Sequence, residues 1–165
     1  MFNLILSILV PSSLAFVIAY SLFQKKHQQA QKKLQAQYGV RINNIKASFK
    51  STMELYSLQR VIRPSNIKQL CAIVDNFFVD QSINEHNVRK LETLSTAIAI
   101  TIAREFNLTK SDEDIEWLQK KLLNFTIKLP KIGKDYNQNF YQRKLKQLIN
   151  GLNTTRANFV QSHAA

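Results

Sequence analysis

The chain of 165 residues carries 23 lysines and arginines against 11 aspartates and glutamates, a net charge of +12. A single cysteine excludes both an intramolecular disulfide and a zinc site built from several cysteines. The chain has only three glycines, all isolated, and three prolines. This excludes a glycine-rich phosphate-binding loop, predicts an all-α fold, and gives no sign of a cofactor.

The first 23 residues contain no Asp, Glu, Lys or Arg. A helix of that length rises roughly 34 Å, enough to cross a hydrocarbon core of about 30 Å. The alternative is a secretory signal that is cut after Ala19. Such signals begin with a basic region, however, and their apolar core is only about 7 to 15 residues long. We therefore predict one uncleaved transmembrane helix at residues 1–23.

Residues 24–39, rich in Gln, Lys and Ala, are predicted to form a polar helical stalk that ends at Gly39. Partial disorder is the alternative for such a low-complexity segment. Positive residues beside an anchor stay on the cytoplasmic side and attract anionic lipid headgroups. We therefore expect a cytoplasmic C-terminal domain, in our preferred interpretation at a bacterial inner membrane. The lysines concerned are Lys25, Lys26, Lys32 and Lys33.

Charge is distributed unevenly beyond the anchor. Residues 25–63 carry nine basic side chains and one acidic one, a net charge of +8. Residues 64–116 carry five basic and nine acidic side chains, net −4, and residues 117–165 carry nine and one, net +8. The acidic middle could be neutralised by the C-terminal helix, or the basic end could stay free for an anionic partner. Charge patterning leaves both arrangements open.

Residues 40–165 are predicted to form one compact bundle of four to five helices. The first apolar stripe ends before Pro64, and Ser65 is the predicted N-cap of the second helix. The stripe repeats at intervals of three and four residues and consists of Ile42, Ile45, Phe49, Met53 and Tyr56.

The third predicted helix, residues 87–106, is the expected centre of the core. The run at residues 97–103 would also suit a β-strand. We prefer a helix, because the pattern extends back through Arg89 and the chain shows no partner strand. Its apolar face consists of Leu91, Leu94, Ile98 and Ile102.

Two further helices are predicted before the C-terminus. Ser111 and Asp114 resemble a capping box that starts the fourth helix, which ends before Pro130. The fifth helix covers about residues 136–150 and ends at Gly151.

The last helix contains the pattern that is closest to a binding signature. Three aromatic residues, Tyr136, Phe140 and Tyr141, interleave with basic ones. Aromatic rings stack on bases and cations bind phosphates, so the pattern permits single-stranded nucleic-acid binding. The favoured alternative is core packing of the aromatic residues beside a solvated basic face. The candidate anion-binding residues here are Lys134, Arg143, Lys144 and Lys146.

No catalytic or metal site is predicted. Cys71 lies on an apolar helix face and is expected to be a buried small hydrophobic residue. The three histidines lack metal-ligand spacing, and the acidic run at residues 112–116 suits a helix N-terminus. Three matches to the glycosylation sequon are interpreted as chance, given the predicted cytoplasmic topology.

These features lead to a ranked set of functions. The first is a non-enzymatic, membrane-tethered adaptor or scaffold that presents its helical domain to protein partners, possibly within an envelope assembly. The alternative is a membrane-anchored binder of anionic lipid or nucleic acid through basic helices, with nucleic acid the less favoured ligand. An enzyme ranks last, because no convergent set of polar groups is visible.

Overall fold

The computed structural model describes the backbone of residues 2–153 and the side chains of residues 20–153. This part of the chain contains no β-strand, and the prediction of an all-α helical bundle is confirmed. The chain divides into two compact units, Met1–Val40 and Arg41–Ala165. Residues 2–153 form five α-helices, α1 (Phe2–Leu58), α2 (Pro64–Asp75), α3 (Glu85–Asn107), α4 (Asp112–Ile127) and α5 (Leu145–Leu152), with a 3₁₀ turn at Gly133–Asp135 and a π-helical segment at Phe140–Lys144.

No helix in the described part of the chain is both long enough and apolar enough to cross a membrane. The predicted transmembrane helix at residues 1–23 therefore has no support from the structure. Most of that prediction concerns the side chains of residues 1–19, which lie outside the described residues.

Helix α1 continues through the position where the sequence predicted a break. Gly39 does not have the positive φ angle of a helix C-terminus, and α1 extends to Leu58. The predicted stop at Gly39 was wrong, because a glycine inside a helix costs only about 1 kcal/mol relative to alanine and a long helix absorbs that cost. The stalk and the first helix of the bundle are one element.

The C-terminus of α1 is closed by a left-handed residue that is not glycine. Arg60 has a φ angle of 60°. Its N–H donates to the carbonyl of Ser57 at 3.0 Å, and the N–H of Val61 donates to the carbonyl of Tyr56 at 2.9 Å. These two bonds form a Schellman motif, which satisfies carbonyls at the helix end and turns fully buried Val61 into the core.

The helix starts follow the chemistry of their first residues. The hydroxyl of Ser111 accepts from the N–H of Asp114 at 3.3 Å, so the predicted N-cap of α4 is confirmed. The prediction that Ser65 caps α2 was wrong. Arg63 occupies the cap position and Pro64 the first helical position, where its missing N–H has no intrahelical partner to lose.

The core of the Arg41–Ala165 unit is formed by one face of each helix. The predicted central position of α3 is confirmed, since Ile98 is 0 % exposed, although Leu94 is only half-buried. Contacts between helices join α2 with α4, α3 with α4, and both α3 and α4 with α5. Residues at the centre include Met53, Leu70, Ile73, Leu91, Ile98, Ile102, Leu118, Leu122 and Leu145.

Candidate functional site

The Arg41–Ala165 unit carries an open groove of about 1140 Å³. We call it the α3–α5 groove. One wall is a face of α3, and the other is formed by the π-helical segment together with α5. Its volume slightly exceeds the range of about 300 to 1,000 Å³ that is usual for small-molecule sites.

The α3 wall is a regular helix face. Residues at intervals of three and four line the groove, and the first of them are polar or basic. Asn84 caps this helix by accepting from the N–H of Asn87 at 2.9 Å, which fixes where the wall begins. The wall contains His86, Lys90, Thr93 and Ala97, with Arg89 and Leu94 beside them.

The opposite wall contains two of the candidate residues from the sequence, Arg143 and Lys146. Arg143 lies within the π-helical segment and Lys146 in the first turn of α5. The hydrogen bonds of a π-helical segment span one residue more than those of an α-helix, so the segment inserts one residue into the helix; such segments often occur at functional sites. Here it lets both Phe140 and Tyr141 pack into the core while Arg143 and Lys146 remain exposed.

The floor of the groove is apolar. Phe77 and Tyr141 lie with their ring centroids 4.9 Å apart in an edge-to-face arrangement. The hydroxyl of Tyr141 donates to the carbonyl of Ile73 at 2.7 Å, and burial raises the pKa of Tyr141 well above its ordinary value. Tyr136 and Phe140 are buried beside it, with centroids 5.1 Å apart. The aromatic residues of the last helix are therefore core residues rather than exposed stacking platforms.

The groove carries a surplus of positive charge. Arg89 pairs with Glu85 at 2.6 Å, and the one acidic side chain in the lining, Asp80, accepts from the backbone N–H of Gln138 at 3.2 Å. The cations without an ion pair to any described residue are Lys90, Arg143 and Lys146.

The other candidate residues lie elsewhere. Lys134 is exposed in the 3₁₀ turn, and exposed Lys144 does not line the groove. The stalk lysines belong to the Met1–Val40 unit, where each is exposed on α1. The structure brings together two of the eight candidates and adds Lys90, which no sequence pattern distinguished. Those outside the groove are Lys25, Lys26, Lys32, Lys33, Lys134 and Lys144.

Basic side chains of residues 25–63 meet acidic side chains of residues 64–116 across helices. Arg41 bonds to Glu85 at 3.1 Å and to Glu92 at 2.5 Å, so it joins α1 to α3. Arg41 and Arg89 together hold the pKa of Glu85 below its usual range, with the bond to Arg89 the larger cause. Lys46 lies 3.6 Å from Asp75 and joins α1 to α2. The acidic middle is thus partly neutralised by α1, and no acidic side chain in the described part of the chain pairs with the basic face of the last helix.

A buried ion pair was not foreseen from the sequence. Lys121 Nζ lies 2.8 Å from Glu105 Oε2, and the two side chains are 5 % and 8 % exposed. The ammonium group also lies 4.4 Å from the centre of the Trp117 ring, within the range of a cation–π contact. The sequence feature that could have predicted this pair is the position of Lys121 within the apolar stripe of α4, between Leu118 and Phe125.

Cys71 is half-buried rather than fully buried. Burial is the main cause that raises its pKa to about 11, followed by the nearby charge of Asp75. A thiol with so high a pKa is a poor nucleophile near neutral pH. Among the described residues, no group of three or more histidine, cysteine, aspartate or glutamate side chains could hold a metal ion.

Comparison with known proteins gives no relative. No protein-family model matches the chain, and neither a curated protein nor a solved structure is significantly similar to it.

Proposed function

We propose that the chain is a non-enzymatic adaptor, tethered to a membrane by its N-terminal segment, that presents its helical domain to protein partners. The observation that supports this most directly is the α3–α5 groove, which combines an apolar floor with cations on both walls that form no ion pair with a described residue. Interfaces have such a composition, with apolar centres and polar rims.

The proposed location is a bacterial inner membrane, with the helical domain in the cytoplasm. This proposal rests on residues 1–23, which lack charged side chains, and on the four lysines that follow. A reporter enzyme fused after Ala165 should be active in the cytoplasm, and Lys25, Lys26, Lys32 and Lys33 should all be needed for that orientation. Activity of the fusion on the opposite side, or a mature chain that begins at Tyr20, would contradict the proposed anchor.

The adaptor proposal is tested by chemical cross-linking in cells, followed by purification of the full-length chain from solubilised membranes and mass spectrometry. We expect a reproducible partner whose yield falls when Lys90, Arg143 and Lys146 are all replaced by Gln. The matched control replaces Lys120, Lys128 and Lys131, which are exposed and lie outside the groove. Recovery of no protein in stoichiometric amount would contradict an adaptor.

Exposed stalk lysines favour a second candidate function, binding of anionic lipid. Each Lys held near an anionic membrane surface contributes about 1 kcal/mol. The full-length chain in neutral liposomes should then recruit additional anionic vesicles, and this recruitment should weaken steeply with salt. Replacement of Lys25, Lys26, Lys32 and Lys33 by Gln should abolish it. Recruitment that is unchanged in this variant would contradict the second candidate. Nucleic acid is the weaker anionic candidate, because the aromatic residues that would stack on bases are buried.

A further inference from the structure

The positions of the charged and apolar side chains in the α3–α5 groove restrict which ligands could bind there. Leu94 and Ala97 of α3 and Ile149 of α5 present apolar surface on the two walls, which we call the apolar strip. Lys90 lies on the same face of α3, one turn before Leu94 and two turns before Ala97, and Lys146 lies one turn before Ile149 on α5. On each wall, positive charge therefore comes first along the helix and apolar surface follows it.

Different ligand classes fit this arrangement unequally. A single-stranded nucleic acid would find cations but no stacking platform, because Phe77 and Tyr141 are buried in the floor. A small anion would use the cations and leave the apolar strip uncovered. An amphipathic helix with an apolar stripe and acidic residues on both flanks would match the apolar strip and the cations of both walls at once.

We propose that the α3–α5 groove binds an acidic amphipathic helix of a protein partner. The apolar face of that helix lies on Leu94, Ala97 and Ile149, and its carboxylates pair with Lys90, Arg143 and Lys146. The assignment to a protein partner rests on the adaptor function proposed above. The contact is an example of helix-in-groove recognition, in which apolar anchors supply affinity and rim charges supply selectivity and speed of association.

The test uses the full-length chain in a neutral detergent and two synthetic helical peptides. Both peptides carry leucines at positions i, i+3, i+4 and i+7; one has glutamate on both flanks and the other has lysine at the same positions. Fluorescence anisotropy measures the dissociation constant of each. We expect the acidic peptide to bind on the order of a hundredfold more tightly than the basic one, since three rim charges change from attraction to repulsion. High salt should reduce this difference.

Two variants locate the binding. Combined Lys90→Glu, Arg143→Glu and Lys146→Glu should exchange the preference, so that the basic peptide binds more tightly. The matched control, Lys120→Glu, Lys128→Glu and Lys131→Glu, makes the same change in net charge outside the groove and should preserve it. Ala97→Trp fills the exposed apolar strip and should weaken both peptides, while circular dichroism shows that the fold is retained.

The outcomes distinguish failure of the groove proposal from failure of the adaptor proposal. Equal binding of both peptides, or equal loss of binding in the groove variant and its control, overturns the proposal. So does binding of phosphatidylserine vesicles, but not of the acidic peptide, in a manner that requires the three groove cations. If the acidic peptide binds as expected while cross-linking recovers no partner, the groove assignment stands and the adaptor function fails. If cross-linking recovers a partner whose yield does not change in the groove variant, the adaptor function stands and the groove assignment fails.

Discussion

At the scale of single residues, the buried pair of Lys121 and Glu105 joins α4 to α3 through two charges that are removed from water. Loss of Lys121 leaves the buried Glu105 carboxylate with only its longer contact to exposed Arg104, at 3.6 Å. We predict that Lys121→Met lowers the free energy of unfolding by about 3 to 5 kcal/mol. Urea denaturation followed by circular dichroism measures the change.

The double variant Lys121→Met with Glu105→Leu supplies the decisive comparison. It removes both charges and keeps apolar volume, so it should recover most of the lost stability. Lys120→Met alters an exposed neighbour and should have little effect. A single variant as stable as the unaltered chain would mean that the pair is hydrated in solution.

Cys71 provides a prediction with a pH dependence. With a pKa of about 11, only about one thiol in a thousand is ionised at pH 8. We expect slow alkylation by iodoacetamide in the folded chain, with a rate that rises towards pH 11. In urea the rate should rise at lower pH, because the thiol regains its ordinary pKa of about 9. Equal rates for the folded and unfolded chain would show that Cys71 is solvated.

At the scale of elements, α1 contains a glycine where it continues and an arginine where it stops. Gly39→Ala should raise the helical content of the chain and stabilise α1 by about 0.5 to 1 kcal/mol. Nothing lies within 4 Å of the added methyl group, so no clash opposes this gain. Far-ultraviolet circular dichroism measures it. Lower helicity would restore the predicted stop at Gly39.

Arg60→Gly tests the other end of this helix. The left-handed conformation costs an ordinary residue roughly 1 kcal/mol, and glycine adopts it without that cost. We predict a stabilisation of about 0.5 to 1 kcal/mol after allowance for the more flexible unfolded chain. Gln59→Gly is the matched control at a neighbouring position without positive φ, and it should destabilise. Equal effects of both changes would indicate that Arg60 is not strained.

The helices that the sequence predicted well are those in which one periodic stripe meets a clear cap. The apolar face of α3 and the N-cap of α4 at Ser111 are local features, so periodicity and capping chemistry were sufficient. The π-helical segment is not local in this sense. It is set by the requirement that Phe140, Tyr141 and Leu145 all reach a core whose position depends on other helices.

At the scale of the whole molecule, one substitution tests whether α3 is the centre of the bundle. Ile98→Asp places a charge among apolar neighbours at a position that is 0 % exposed, and it should cost several kcal/mol, enough to unfold a domain of ordinary stability. Ile100→Asp, on the same helix at a position that is 60 % exposed, should be tolerated. Thermal denaturation of both variants distinguishes the two positions. Similar midpoints would place the core elsewhere.

The α3–α5 groove could not be predicted from the sequence, because its residues come together only in the tertiary structure. The sequence distinguished Arg143 and Lys146 because they interleave with aromatic residues. Lys90 lies more than fifty positions away, in a helix of mixed charge, and only the packing of α3 against α5 brings it to the same surface. The sequence also could not distinguish aromatic residues that stack on ligands from those that fill a core.

The ion pairs of Arg41 have a mechanical consequence. A pulling force applied at Arg41 enters the Arg41–Ala165 unit at its first residue. The first cross-helix contacts that resist it are the bonds from Arg41 to Glu85 and Glu92, which are polar and open to solvent. Buried Ile42 directly follows Arg41 on the same helix. Tension would therefore load the exposed ion pairs together with the first core residue, and only the share of the rupture force that the ion pairs carry should fall as salt is added.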